Sequence, residues 1–237
     1  MERIIGKILE KLRNLSKPMA TSSYFLKKEN LEHQRTIYVT QREALYSFSL
    51  EEFEKWMEVY FLDHLYFPNE WDFERVKKRS QKVFDGHGVE EKNLWLGAFF
   101  EKEIQSGHIP LVEIRWMSPG FGYGLFAKEI LAPQQYMGEY TGMVRKRELR
   151  DRKNPYCFEY TIDDKKSSYL IDAQVMGNHT RFINHSDEPN LSPYAVFVEG
   201  IMHVIFVTNQ TIGKGCELTY DYGPNYWKRR EPPQETR

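Results

Sequence analysis

The sequence predicts an α+β protein in which a small helical region precedes a mainly β region. Two changes of pattern carry this prediction. Apolar and aromatic side chains repeat at helical spacing between residues 49 and 104. After Gly107, short β-rich runs alternate with Gly, Pro, Asn and Asp. A chain of 237 residues is long enough for one full domain and a smaller partner.

Three helices are expected in the first region. Ser49 and Glu52 match a capping box, and the apolar period that follows continues until Pro68. A second helix is expected at about 71–84 and a third at about 89–104, each stopped by a glycine. We expect most of the aromatic side chains on these helices to form packing surface. Recognition of a substrate or a second subunit is the alternative.

The first residues predict a basic amphipathic helix over 1–16. Seven Lys and Arg side chains against two acids lie in the first 28 residues. The apolar positions are Ile4, Ile5, Ile8, Leu9, Leu12 and Leu15. We favour a terminal helix docked on the core. A segment for export or partner binding, and an anchor on nucleic acid or a membrane surface, are the alternatives.

The second region contains seven predicted strands and no internal repeat. The β-rich runs lie at 109–116, 124–127, 136–141, 158–162, 169–171, 194–198 and 202–207. The polar, proline-containing residues 230–237 are expected to be disordered.

Composition excludes several classes of protein. Lys and Arg number 33 and Asp and Glu 34, so no net field draws the whole chain to nucleic acid. The two cysteines, Cys157 and Cys216, cannot build a disulfide scaffold or a Cys-rich zinc site, and we predict no metal site. No apolar run reaches the roughly 18 residues that a membrane span needs.

Three segments combine residues in a way that suggests a site: PGFGYGLFA (119–127), RFINHSDEPN (181–190) and ELTYDYG (217–223). The glycines of Gly122-Tyr123-Gly124 begin a strand, which is the wrong context for a dinucleotide fingerprint. They would instead let a ligand approach the backbone closely. An ordinary tight turn is the alternative.

The second and third segments place polar groups beside apolar ones. Asn184 and His185 follow Phe182-Ile183 directly, and such polar groups are costly to bury without assigned partners. A hydrolytic pair of His185 and Ser186 is disfavoured because neighbours on an extended chain point to opposite faces. In the third segment, Tyr220 and Tyr222 share one face by the same rule.

In this order, and with GEYTG (138–142) between the first and second, these segments resemble the SET domain of protein lysine methyltransferases. GEYTG, RFINHSD and the tail GPNYWK (223–228) resemble in particular the SET proteins of chlamydial bacteria, which are regarded as methylators of host or bacterial histones. The resemblance implies a mainly β SET domain at 109–223, built of short sheets with a threaded pseudoknot and an insert at about 144–180. A helical region, 1–108, would precede it and a tail, 224–237, would follow.

The resemblance also implies the site. Tyr222 stands where the family has its catalytic tyrosine, and we expect it to orient rather than to deprotonate, since a phenol with a pKa near 10 is a poor base. A tyrosine at Tyr220 implies mono- or dimethylation. The implied channel consists of Tyr156, Tyr220 and Trp227. The implied S-adenosylmethionine site comprises Gly122, Tyr123, Gly124, Tyr156, Arg181, Asn184, His185 and Tyr222.

Two positions depart from the family pattern. Many members have a cysteine where this chain has Asp187, and it joins a Cys-rich tail that binds zinc. The tail here has no cysteine, so we expect another lid, for which Pro224, Tyr226 and Trp227 are available. Val175 stands where relatives often carry a channel tyrosine, and this leaves open how complete the aromatic cage is.

The resemblance therefore implies an S-adenosylmethionine-dependent lysine methyltransferase acting on a histone or histone-like protein. A SET fold that binds peptide or chromatin without turnover is the alternative. Contact with nucleic acid would occur only through chromatin. The oligomeric state is open, and a homodimer is one of the states allowed. The resemblance implies a location in the bacterial cytoplasm, with secretion into a host cell and its nucleus. The basic residues between 145 and 153 are expected to be the exposed face of an inserted helix, with contact to nucleosomal DNA as the alternative.

Overall fold

A computed structural model describes residues 35–162 and 168–228 of the chain. The helix predicted at 1–16 and the disorder predicted at 230–237 lie outside these residues. Within them the α-helices are α1 (Leu50–Met57), α2 (Glu70–Asp85), α3 (Glu91–Phe99), α4 (Glu101–Ser106) and α5 (Pro224–Trp227). Two 3-10 helices lie at Leu149–Lys153 and His179–Phe182.

The capping box at the start of α1 is confirmed. Glu52 N–H donates to Ser49 Oγ at 3.3 Å, and Ser49 N–H donates to Glu52 Oε2 at 2.8 Å. The helix is shorter than predicted: it ends at Met57 because Glu58 adopts a left-handed conformation with φ 53°. Tyr60–Phe61 then form the short strand β3. The prediction of helix up to Pro68 is therefore wrong.

The third predicted helix consists of two. Phe100 has φ −101° and ψ 16°, outside the α region, and separates α3 from α4. Gly107 ends α4 with φ 57°, a conformation that glycine adopts readily. The predicted stop at this glycine is confirmed.

Fourteen strands are found in the described residues. They are β1 (Ile37–Gln41), β2 (Ala44–Phe48), β3 (Tyr60–Phe61), β4 (Val112–Ser118), β5 (Gly122–Ala127), β6 (Tyr136–Glu139), β7 (Met143–Lys146), β8 (Cys157–Glu159), β9 (Tyr169–Asp172), β10 (Met176–Gly177), β11 (Asn184–His185), β12 (Leu191–Val198), β13 (Ile201–Thr208) and β14 (Thr219–Tyr220). They form five small sheets, of which the largest has the order β2-β1-β4-β5.

The β1–β2 hairpin corrects the prediction that the first region is helical throughout. Its turn residues Arg42 and Glu43 have φ 49° and 65°, so the turn lacks the Gly or Asn that would announce it in the sequence. β1 also pairs in parallel with β4. One core cluster runs from Ile37 to Tyr220, so the hairpin packs with the later strands.

The basic segment after Gly142 is not the exposed face of an inserted helix. Residues 143–146 form β7, which pairs antiparallel with β9, and Leu149–Lys153 form a 3-10 helix. The Arg145 side chain is 15% exposed and lies between two carboxylates. That part of the prediction is wrong because strand pairing turns Arg145 inward.

Two pairings bring the three sequence segments together. β11 pairs in parallel with β14, with Asn184 opposite Thr219 and His185 opposite Tyr220. A single bridge joins Phe126, at the end of β5, to Glu217. Residues 122–127, 183–185 and 217–222 therefore meet on one side of the molecule. No helix in the described residues is long and apolar enough to cross a membrane.

Candidate active site

Asn184 links the three segments through its side-chain amide. Its Nδ2 donates to Glu217 Oε1 at 2.8 Å and to the carbonyl oxygen of Tyr123 at 3.3 Å. Burial raises the pKa of Glu217, and the hydrogen bond from Asn184 opposes that rise. The expectation that Asn184 needs fixed partners is confirmed, and one of them, Glu217, was not singled out from the sequence.

His185, which lies next to Asn184 on β11, holds the backbone of Tyr222. Tyr222 N–H donates to His185 Nδ1 at 3.2 Å, so the ring proton lies on Nε2, which is 3.2 Å from Asp187 Oδ1. The ring centroid of His185 is 5.4 Å from that of Tyr222 and 4.8 Å from that of Trp227. Both ring nitrogens of His185 are thus used to fix neighbouring residues.

Tyr222 has its hydroxyl proton committed to the backbone. Its Oη donates to the carbonyl oxygen of Ile183 at 2.9 Å, which leaves the oxygen lone pairs as acceptors. Burial raises the pKa of Tyr222 above its ordinary value, and the nearby Tyr226 adds to this. Burial likewise raises the pKa of Tyr220 well above 10. Both phenols are neutral at physiological pH and neither serves as a base.

A cavity of about 420 Å³ opens beside these two tyrosines. Its inner wall includes Tyr220 and Tyr222, and Phe158 stacks on Tyr220 with ring centroids 5.8 Å apart. The remaining lining residues are Arg147, Glu148, Leu149, Asp151, Arg152, Cys157, Glu159, Asn225 and Tyr226. The inner end is aromatic, while the outer wall carries charges of both signs.

The lining of the cavity includes one of the three predicted channel residues. Tyr220 lines it, together with Tyr222, whereas Tyr156 and Trp227 are not among its lining residues. The Trp227 ring instead stacks nearly parallel to Tyr222, with 6.1 Å between centroids. Sequence reasoning missed Phe158, although this residue begins one of the predicted strands. Tyr226 was considered only as one of the apolar groups of the tail.

Tyr156 and Arg181 form a second group, next to the cavity wall. The Arg181 guanidinium carbon lies 4.0 Å from the centroid of the Tyr156 ring. Its Nε donates to the carbonyl oxygen of Ala173 at 2.9 Å. Tyr140 is buried and donates its hydroxyl to the carbonyl oxygen of Tyr156 at 2.9 Å.

The glycines have different roles. Gly122 has φ 72°, and a Cβ there would meet no atom within 4 Å. A Cβ at Gly124 would lie 2.8 Å from Glu217 Oε1 and 2.7 Å from Met117 Sδ. Gly124 therefore allows Glu217 to reach Asn184, and close approach of a ligand to the backbone fits Gly122 better.

One orphaned donor fits a polar ligand here. Trp227 Nε1 is buried and has no hydrogen-bond partner among the described residues. It belongs to the aromatic group with His185 and Tyr222. A buried N–H without a partner is costly, and a ligand with acceptor atoms, resting beside Asn184 and His185, would satisfy it.

Comparison with known proteins identifies this region. Residues 122–223 match the family model of the SET domain. The match begins at Gly122 and ends directly after Tyr222, so it contains the Asn184–Glu217 pair and both cavity tyrosines. The predicted fold class, α+β with a mainly β SET domain of short sheets, is confirmed, and a few helices accompany the sheets.

Curated relatives that match part of the chain share the name histone-lysine N-methyltransferase. The chain is 36% identical over 108 residues to histone-lysine N-methyltransferase 2B of Homo sapiens. It is 35% identical over 109 residues to histone-lysine N-methyltransferase set-2 of Caenorhabditis elegans and 34% identical over 121 residues to histone-lysine N-methyltransferase EZA1 of Arabidopsis thaliana. These matches cover 43%, 43% and 46% of this chain but only 4%, 7% and 14% of the relatives.

Solved structures resemble part of the chain. An active polycomb repressive complex 2 matches with a TM-score of 0.45 and 27% identity, over 52% of this chain and 16% of that one. KRYPTONITE in complex with mCHH DNA, an H3(1-15) peptide and SAH matches with a TM-score of 0.41 and 33% identity, over 47% and 23%.

Proposed function

We propose that this protein is a lysine N-methyltransferase that uses S-adenosylmethionine. The observation that carries the proposal is the position of Tyr222 between the Asn184–His185 strand and the aromatic end of the cavity. The name shared by the curated relatives supports it.

We assign the cofactor to the side of Tyr222 on which the Asn184–His185 strand lies. Bound there, S-adenosylmethionine would supply a methyl group on a sulfonium, so that the amine forms an N–C bond as the C–S bond breaks and the electron pair stays on sulfur. Gly122, Asn184, His185 and Arg181 would hold the cofactor, and Trp227 Nε1 offers it a buried donor. Tyr123 and Tyr156 remain predicted contacts of the cofactor.

The cavity is the place for the substrate lysine. A lysine side chain with a pKa near 10.4 must lose its proton before it can attack. Phe158 and Tyr220 desolvate the inner end of the cavity, which favours the neutral amine, and their ring faces tolerate a methylated cation. Because both phenols are neutral, the proton leaves the lysine for water rather than for a tyrosine.

Tyr222 orients the amine. Its hydroxyl donates a hydrogen bond to the carbonyl oxygen of Ile183. Its oxygen can therefore accept a hydrogen bond from an amine N–H, which turns the nitrogen lone pair toward the methyl group. Tyr220 crowds the same end, and this supports the prediction of mono- or dimethylation.

The finer assignments rest on the resemblance. A histone or histone-like protein is the proposed substrate, supported by the relatives' names. The kinship with chlamydial SET proteins and a location in the bacterial cytoplasm with secretion into a host cell remain predictions. Oligomeric state, a homodimer included, and contact with nucleic acid through chromatin remain predictions as well.

A labelling experiment tests the proposal. Purified protein is incubated with methyl-labelled S-adenosylmethionine and a mixture of histones and bacterial lysate, and labelled lysines are located by mass spectrometry. We expect label on lysine in the wild type and a loss of at least tenfold in Asn184→Ala, which removes the amide that ties the three segments together. Cofactor binding and peptide binding without any label would instead establish the non-catalytic module.

A further inference from the structure

The outer wall of the cavity is held by a partly buried charge network centred on Arg145. Its Nη2 lies 2.5 Å from Asp151 Oδ1 and 2.6 Å from Asp172 Oδ2, and its Nε donates to the same oxygen of Asp172 at 3.0 Å. Its Nη1 donates to Asp151 Oδ2 at 3.0 Å. The three side chains are 15%, 5% and 16% exposed.

The geometry of this network suits arginine alone. A guanidinium presents five N–H donors in one plane and can serve two carboxylates at once, whereas a lysine ammonium is a single point. Two buried carboxylates without a cation between them would repel each other and lose their solvation. Arg145 therefore fixes the distance between Asp151, on the 3-10 helix, and Asp172, at the end of β9.

Both carboxylates extend the network into backbone amides. Asp151 Oδ2 accepts from Glu148 N–H at 2.5 Å, and Glu148 lines the cavity. Asp172 Oδ1 accepts from Asn154 Nδ2 at 2.8 Å and from Gln174 N–H at 3.1 Å. Asn154 in turn accepts from Tyr156 N–H at 2.9 Å through its Oδ1.

The network thus joins the outer wall of the cavity to the Tyr156–Arg181 group beside it. One end is the segment Glu148–Arg152, which forms the outer wall of the cavity. The other end is Tyr156, whose ring carries the Arg181 guanidinium. Gln174 connects the network with Arg181, because its N–H donates to Asp172 and its carbonyl oxygen accepts from Arg181 Nη2 at 3.1 Å.

We propose that Arg145 is a positioning residue that holds the substrate-facing wall Glu148–Arg152 in register with Tyr156 and Arg181. This inference rests on the proposed function. Arg145 does not touch the reacting atoms; it sets how well the cavity is shaped for a peptide before the peptide arrives.

Steady-state kinetics test the consequence for substrate. The probe is a peptide that carries the lysine labelled in the experiment above, measured with saturating S-adenosylmethionine. For Arg145→Met we expect the peptide KM to rise about tenfold while kcat stays within about threefold, because the wall is misplaced but Tyr222 is not. Arg145→Lys keeps the positive charge but loses the planar guanidinium that serves both carboxylates. For this variant we expect the peptide KM to rise about threefold.

Arg35→Met is the matched control. The Arg35 guanidinium is also partly buried, and it pairs with Asp63 and with the carbonyl oxygen of Ser106. None of these three residues lines the cavity. We expect it to lower the melting temperature without changing the peptide KM. An equal KM rise in Arg35→Met, or an unchanged KM in Arg145→Met, would overturn the positioning role.

Amide hydrogen exchange tests the network without any turnover. In Arg145→Lys, which is the variant better able to fold, we expect faster exchange at the amides of Glu148, Tyr156 and Gln174 than in the wild type. Faster exchange at Glu148 alone would show that the cavity wall is not coupled to the Tyr156–Arg181 group, and the inference would be wrong. Absence of methyl transfer in the wild type would refute the proposed function. The exchange rates would still decide whether Arg145 couples the cavity wall to the Tyr156–Arg181 group.

Discussion

At the scale of single residues, the site depends on a few side chains that hydrogen bonds hold in place. Tyr222 is fixed at both ends, through its N–H to His185 and through its hydroxyl to Ile183. Such double attachment restricts the ring to one orientation. The same residue contacts the aromatic tail and lines the cavity, so its position is set before any ligand binds.

Tyr220 is expected to limit the number of methyl groups added. Its ring lies between Phe158 and Phe206, with centroids 5.8 and 4.8 Å away, so it cannot swing aside. Tyr220→Phe removes only the hydroxyl and enlarges the inner end of the cavity. We expect the fraction of the most highly methylated product to rise at least fivefold, as measured by mass spectrometry of a lysine peptide. An unchanged product distribution would show that Tyr220 does not set the methylation state.

Some residue roles were predictable from the sequence and others were not. Asn184 and His185 were identifiable because polar residues directly after an apolar pair must have partners. Glu217 lies in one of the three segments, but its role depends on a contact with Asn184 across 33 positions. Arg145 was misjudged because a run of basic residues is usually a solvated face, and only strand pairing shows which member turns inward.

At the scale of elements, α5 lies at the cavity and contains the tail residues that we expected to form a lid. It is a single turn of four residues, begun by Pro224 after Gly223 with φ 78°. Tyr226 and Trp227 have different contacts. The Tyr226 ring lies 4.6 Å from that of Tyr222 and lines the cavity, while Trp227 packs on His185.

The two aromatic residues of α5 are therefore expected to differ when substituted. Tyr226→Ala opens the cavity wall, and we expect the peptide KM to rise about fivefold. Trp227→Ala removes the buried N–H and the ring behind His185, so we expect weaker cofactor binding with a smaller rise in peptide KM. Calorimetric titration with S-adenosylhomocysteine and peptide kinetics separate the two effects. Equal effects of both substitutions on both ligands would contradict this division.

The elements that the sequence predicted best were those with local signals. The capping box at Ser49 and the glycine after α4 each mark a boundary through a local hydrogen bond or backbone angle. The β1–β2 hairpin had no such signal, since Arg42 and Glu43 make its turn. Its stability comes from pairing with β4, more than 70 positions later, and that pairing cannot be inferred from local pattern.

At the scale of the whole molecule, the site rests on a core that includes buried polar groups. His179 is one of them: its Nε2 lies 2.9 Å from the carbonyl oxygen of Met137, and its Nδ1 is buried without a partner among the described residues. Burial lowers the pKa of His179 to about 4. The folded state therefore favours the neutral ring more than the unfolded state does.

This pKa shift predicts loss of stability in acid. The contribution of neutral His179 is complete above pH 6.5 and is lost as the pH falls from 6.5 toward 4, with a total of about 3 kcal/mol at about 1.4 kcal/mol per pKa unit. His179→Gln cannot titrate. Urea unfolding at pH 7.5 and pH 4.5 should show a larger drop in the free energy of unfolding for the wild type than for His179→Gln, by about 2 kcal/mol. Equal drops would mean that His179 does not titrate in this way.

The central claim is that Tyr222 stands between a bound cofactor and a lysine amine and orients the transfer. The rate of methyl transfer by Tyr222→Phe, relative to the wild type, tests it on a peptide that carries the lysine labelled by the wild-type protein. The variant keeps the ring and its packing, and unchanged binding of S-adenosylhomocysteine would show that the site is intact. We predict a fall in kcat of at least 100-fold, and a kcat within threefold of the wild type would contradict the orienting role of Tyr222.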